Sequence, residues 1–222
     1  MSPPPAHLTR SEFETASKAL VDDAREGGDA LAQRHLREWS WVEHASVSGL
    51  GYLSRTVLLS RRPGCRSYEL GFTDGLDGEA ILEEEDGATL SDADPSDTVV
   101  CRQYVVYSPT YQVPVFYFTI HASNGAPLSL EDILRSSLFR PDTLPPSQIT
   151  SFALSPDSSP FPLLSQGDHP TLGTPSWYVH PCETPKAVGE ILAEVQRPQG
   201  TATKELMRVW FAVLGGVVDL RP

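Results

Sequence analysis

The chain has 222 residues, enough for one domain with a sizeable core, and no long linker splits it, so a single domain over 1–222 is expected. Its 40% hydrophobic and 21% charged residues fit an ordinary soluble globular protein. A formal charge of -12 argues against a nucleic-acid partner, which needs clustered Lys and Arg, and disfavours adsorption on an anionic membrane surface.

No run approaches the ~18 apolar residues of a membrane span, so no stable membrane insertion is expected. The start, Met1-Ser2-Pro3-Pro4-Pro5, lacks the charged-then-apolar profile of a secretory signal. Three scattered cysteines, Cys65, Cys101 and Cys182, make no disulfide framework. A reducing compartment follows, and a cytoplasmic location is the expectation.

The pattern predicts a first helix over Ser11 to Gly27, capped by Thr9 or Ser11, with Phe13, Ala16, Leu20 and Ala24 on one apolar face. A shorter amphipathic stretch runs from Asp29 to Trp39. Gly51 to Leu59 reads as a strand. Arg61-Arg62-Pro63-Gly64 is a turn, and an extended piece near Tyr68 to Phe72 is placed to pair back. From Asp74 to Asp97 the chain is acidic and Gly-rich, and a mobile surface loop is expected at 83–98.

Val99 to Tyr107 and Val113 to His121 are the clearest strands, and their short connection implies an antiparallel meander. Leu128 to Leu138 reads as a short helix with Ser129 as cap and Asp132 three residues on. Asp142 to Thr174 is rich in Pro, Ser and Gly and reads as an irregular crossover. Tyr178 and Val179 end an extended approach that Pro181 interrupts. Ala187 to Val195 and Thr201 to Leu220 are helical by pattern, with Gly215-Gly216 weakening the last turns. The expected fold is therefore α+β, an antiparallel sheet covered on one face by helices.

The cysteines differ in setting. Cys101 lies in an apolar strand and reads as a small core hydrophobe. Cys65 has Arg61, Arg62 and Arg66 nearby, yet nothing around it resembles a cleft. Cys182 stands between Pro181 and Pro185, two residues that fix the backbone and so aim a side chain reproducibly. Either a nucleophile or an ordinary loop cysteine fits that setting. A zinc site from Cys182, His180 and His169 lacks paired ligand spacing, and a redox site lacks a second cysteine at Cys-x-x-Cys distance. No metal and no cofactor are expected. A direct Cys-His dyad is disfavoured, because His180 is two residues away across a proline; His180 is instead a candidate to shape the loop through its ring nitrogens, and no sequence argument places His169 or His44 beside the thiol. What remains is a lone thiol able to carry an acyl group. The chain's one asparagine, Asn124, is in a turn and does not adjoin Cys182. Glu183 beside the thiol is placed to raise its pKa by like-charge repulsion.

The segment Tyr178-Val179-His180-Pro181-Cys182-Glu183-Thr184 resembles the His-Pro-Cys motif of the E2-like enzymes of autophagy. The stretches Gln103 to Phe118, Gly125 to Ile133 and His169 to Pro175 are similar to the branch called autophagy-related protein ten. Trp39 to Trp41 and Gly51-Tyr52-Leu53 share the likeness. The resemblance implies a variant ubiquitin-conjugating (E2-like) fold with Cys182 as the catalytic residue. It also implies three partners: an autophagy ubiquitin-like modifier, numbered twelve in the series, an E1-like activating enzyme, numbered seven, and an acceptor protein, numbered five, bearing the target lysine. Family-like enzymes place an aromatic hydroxyl and a polar group near the cysteine, and Tyr104, Tyr117 and His180 are the candidates here. The Tyr107 to Gln112 turn is a candidate partner contact, whereas Phe116 and Phe118 read as core. The alternative is a non-catalytic adaptor on the same fold, and a cysteine hydrolase is a third class.

Overall fold

In the first helix, α1 (Arg10–Glu26), the chain makes its own cap. Thr9 Oγ1 accepts from the Glu12 N–H at 3.2 Å, while the Glu12 carboxylate accepts from the Thr9 N–H at 2.7 Å. This reciprocal pair satisfies two amides that a helix start otherwise leaves bare. Of the two expected caps, Thr9 is the one used. Phe13, Ala16, Leu20, Val21 and Ala24 then bury one face, as their spacing predicts. A computed structural model describes residues 6–26, 36, 38–61, 98–158, 161–194 and 202–221. Cys65, the turn at 62–64, the extended piece at 68–72, most of the 29–39 stretch and the acidic loop lie outside these residues, save Thr98, which opens a strand.

The strands are β1 (Ser40–Val42), β2 (Tyr52–Ser60), β3 (Thr98–Ser108), β4 (Val113–His121), β5 (Ser147–Ile149), β6 (Ala153–Pro156), β7 (Leu164–Asp168) and β8 (Pro175–Val179). They form one antiparallel sheet in the order β1-β2-β3-β4-β8-β7-β6-β5. The chain leaves the sheet after β4, lays down β5 to β7 on the far side, and returns with β8 against β4. Tyr117 then faces Tyr178, and Phe118 faces Trp177. The end of β8 is thus at the middle of the sheet, and the Cys182 segment leaves from there.

Side chains alternate across the sheet with period two. Cys101, Val105, Phe116, Phe118 and Ile120 join the main core with α1, α3 (Thr184–Glu194) and α4 (Ala202–Gly215). The Phe116 and Phe118 rings stack within it, as expected of core residues. Asp23 of α1 pairs with Lys204 and Arg208 of α4 and fixes the two helices edge to edge. The opposite face is not bare: Tyr52, Tyr104 and Val106 form a second cluster, joined by Tyr117. At the sheet end, Gly51 admits the Trp41 ring, since a Cβ there would lie 2.2 Å from Trp41 Cζ2.

Several expectations change. The 142–174 crossover contains β5, β6 and β7; their short sequences show little alternation, and backbone pairing together with the buried Leu154 and Leu164 holds them. The helix expected over Leu128 to Leu138 shrinks to α2 (Leu130–Leu134), with Ser129 as its cap. Its continuation is pulled onto the sheet, where the Ser137 N–H donates to Ser60 O. Finally, α3 begins three residues early, at Thr184, so Pro185 occupies the first helical turn, where its missing N–H costs nothing. The last helix, α4, ends at Gly215, where the glycine pair weakens the pattern.

Candidate active site

Cys182 occupies a turn between the end of β8 and the start of α3. The His180 N–H donates to Leu163 O at 2.9 Å, which continues the β7–β8 pairing one step past the strand. The Thr184 N–H donates to Pro181 O at 3.1 Å and closes a turn with Cys182 in its second position. The Cys182 N–H points to His180 Nδ1 at 3.4 Å. The turn is thus anchored at both ends, at His180 beside the β7–β8 pairing and at Thr184 in α3, with Cys182 bonded to His180 between them.

The thiol is half-buried, whereas Cys101 is fully enclosed, with its pKa pushed up to about 12 by burial. The Cys182 pKa is raised as well, first by burial and then by the Glu183 carboxylate, while the amides of Glu183 and Cys182 pull the other way. The repulsion expected from Glu183 is present, second to desolvation. Cys182 rests as a protonated thiol. Next to the segment is an apolar pocket of about 180 Å³, walled by Pro114, Phe116, Val179, Pro181, Ala187 and Trp210.

The three candidate supporting residues separate. Tyr104 and Tyr117 pack their rings on His169, at centroid distances of 4.7 and 5.5 Å, and Tyr52 completes the surround at 5.2 Å. Burial pushes the Tyr117 hydroxyl up to about 12 and raises that of Tyr104. His169 itself is fully buried, and desolvation lowers its pKa to about 4. His180 is the candidate bonded to Cys182. Its ring is stacked by Phe161 (6.1 Å, 17°), met edge-on by Tyr111 (5.7 Å, 76°) and flanked by Tyr178 (6.2 Å). His169 and His180 are held in different surroundings, and among the described residues no three His, Cys, Asp or Glu side chains converge on a metal site. His180 Nδ1 meets a backbone amide, the Cys182 N–H.

The N-terminal segment is an unexpected member of the site. The Ala6 N–H donates to Pro185 O, the Leu8 N–H to Gln112 O, and the Tyr107 hydroxyl to Leu8 O. His7 Nδ1 lies 3.3 Å from Tyr111 O. Residues 6–8 thus strap the β3–β4 turn to the first turn of α3, three residues beyond Cys182. Gln112 carries φ +56, a conformation unusual for a residue with a Cβ, and the strap bonds to its carbonyl.

Residues 12–222 match the family described as autophagocytosis associated protein, active-site domain. The chain belongs to that family. It is 29% identical to the ubiquitin-like-conjugating enzyme ATG10 of Arabidopsis thaliana, over 96% of this chain and 92% of the relative. Against the human protein of the same name the figures are 27%, 82% and 79%. Against that of Dictyostelium discoideum they are 30%, 53% and 49%.

Family membership makes the chain an E2-like conjugating enzyme of autophagy, a transferase, as the resemblance implied. The eight-stranded antiparallel sheet with helices packed on it agrees with that class. Sequence reasoning missed Phe161, an aromatic between prolines whose stacking on His180 has no periodic signal. Tyr111 lies in the turn singled out for partner contact, and here it is turned inward on His180.

Proposed function

We propose that Cys182 carries the C-terminal carboxyl of a ubiquitin-like modifier as a thioester and passes it to a lysine. In the first step the Cys182 thiol attacks the thioester carbonyl on an E1-like enzyme, and the donor's thiol leaves with the proton. In the second a lysine amine attacks the Cys182 thioester, an isopeptide bond forms, and the Cys182 sulfur leaves and regains a proton. The observation that carries this reading is the contrast between the two described cysteines: Cys182 is half-exposed in a tethered turn, and Cys101 is sealed in the core. By family likeness the modifier is the one numbered twelve in the autophagy series, the activating enzyme the one numbered seven, and the acceptor the one numbered five.

The whole chain, 1–222, is read as one catalytic unit acting in the cytoplasm. Among the described residues no helix is long and apolar enough to cross a membrane.

The test is incubation with the activating enzyme, modifier and ATP, followed by reducing and non-reducing gels. The wild type is expected to give an adduct lost on reduction, and Cys182→Ser an oxyester that survives it. No wild-type adduct, with the activating enzyme itself charged, overturns the reading and leaves the non-catalytic adaptor.

A further inference from the structure

The dipeptide His-Pro occurs twice in the described residues, at 169–170 and 180–181, and both copies build the same small device. His169 Nδ1 accepts the N–H groups of Thr171 and Leu172 at 3.2 and 3.1 Å. His180 Nδ1 accepts the N–H of Cys182 at 3.4 Å. His44, without a proline, does the same for Ser46 and Val47 at 3.1 and 3.0 Å. In each case an imidazole nitrogen plays the part an Asp or Asn oxygen plays in a side-chain-closed turn. The amide reached lies two residues on in all three, with or without the proline, whose ring fixes φ at the intervening position of the two His-Pro copies. In the second copy that amide belongs to the cysteine.

We propose that His180 is the positioning residue for acyl transfer at Cys182: its imidazole, clamped between Phe161 and Tyr111, accepts the Cys182 N–H through Nδ1 and so fixes the direction of Sγ. This rests on the thioester reading of Cys182. The clamp supplies what the bond alone lacks. Phe161 runs nearly parallel to the ring with its centroid 6.1 Å away, and Tyr111 meets it edge-on at 5.7 Å, so neighbours on two sides restrict its swing away from the amide. The His180 N–H, anchored on Leu163 O, fixes the backbone from which the ring projects. The turn closed by Thr184 N–H on Pro181 O then holds the cysteine from the other side.

An Nδ1 that accepts a hydrogen bond carries no proton, so the working tautomer holds its hydrogen on Nε2. Burial lowers the His180 pKa and keeps that form in place near neutral pH. Protonation would set two donors, Nδ1–H and the Cys182 N–H, against each other. The titratable groups that face the ring are Tyr111 from the β3–β4 turn, Tyr178 from β8, and Cys182 and Glu183 from the turn itself; His7 lies beyond Tyr111.

The test uses the full chain in single-turnover assays that score thioester formation and discharge onto free lysine separately. His180→Asn keeps an oxygen where Nδ1 stands; His180→Gln moves it outward, and His180→Ala removes it. Discharge at saturating lysine is expected to slow about tenfold or more in the Ala and Gln variants, with the lysine KM unchanged, because misaim of the nucleophile costs rate rather than binding. Asn is expected to recover most of the rate. All variants share the acid loss caused by protonation of the lysine amine, and wild-type discharge is expected to fall more steeply in acid than that of Asn. Full-rate discharge by the Ala variant overturns the proposal, and so does an Asn variant as slow as Ala. Should the substituted chains fail to fold, nitrogen NMR of the wild-type imidazole decides: an Nε2–H tautomer supports the proposal, and an Nδ1–H tautomer overturns it. A wild type that forms no thioester marks failure of the parent reading instead, and is told apart because the gel shows it before any variant is compared.

Discussion

Cys182 and Glu183 are neighbours in a turn where the thiol is partly withdrawn from water, and both effects favour the protonated form. Glu183→Gln removes the repulsion but not the burial. Alkylation of Cys182 is then expected to be faster at neutral pH and to reach half-maximum at lower pH than in the wild type, as followed by mass spectrometry with Cys101 as the buried control. His169 gives a second residue-scale test. Its folded pKa, about 4, lies below the ordinary 6.5, so between those values the unfolded chain binds the proton first. The stability that His169 contributes is complete above about pH 6.5 and is lost as pH falls toward about 4, at up to about 1.4 kcal/mol per unit. His169→Phe is expected to flatten that part of the pH dependence, measured by urea midpoints across the window. Cys182 was legible from its motif and its two flanking prolines. A loop-shaping part for the His180 ring nitrogens was legible too; which amide they reach was not, because an i to i+2 contact across a proline depends on a ring orientation that local sequence does not specify.

Among the elements, the strap at residues 6–8 joins parts of the chain that are more than a hundred residues apart. Leu8 is buried, and Leu8→Ala is expected to cost about 2–3 kcal/mol of stability, read from chemical denaturation. Tyr107→Phe removes the hydroxyl bond to Leu8 O at a cost of about 1 kcal/mol, and it is expected to leave thioester formation intact. The strands β2, β3 and β4 could be read in advance because one set of alternating positions is strongly apolar. The strands β5, β6 and β7 could not. Leu154 and Leu164 are each the main buried residue of a short, otherwise polar strand, and one leucine per strand leaves no period to detect. The strap was invisible for a different reason: three residues with neither helical nor strand spacing find their partners only in the folded chain.

On the scale of the molecule, the C-terminal end is held by a charge in the interior. Arg55 on β2 is buried, donates to Gln103 Oε1 at 2.7 Å and to Leu220 O at 3.0 Å, and lies 5.0 Å from the Trp39 ring. Arg55→Met keeps the volume but leaves two acceptors unpaired, and it is expected to lower stability by about 2–4 kcal/mol. Circular dichroism during urea unfolding measures it. Because α4 and the residues after it pack against α1 and the sheet, loosening this anchor is expected to reduce cooperativity across the whole fold rather than at one end.

The protonated resting state of Cys182 has one more consequence, for what happens after loading. A sulfur that gives up its proton reluctantly is also a poor leaving group, so the surroundings that quiet the free thiol make the loaded carbonyl less prone to stray attack by water. The lifetime of the loaded enzyme and the restraint of the empty one then follow from the same thiol basicity, and Glu183→Gln is expected to shorten the first as it relaxes the second.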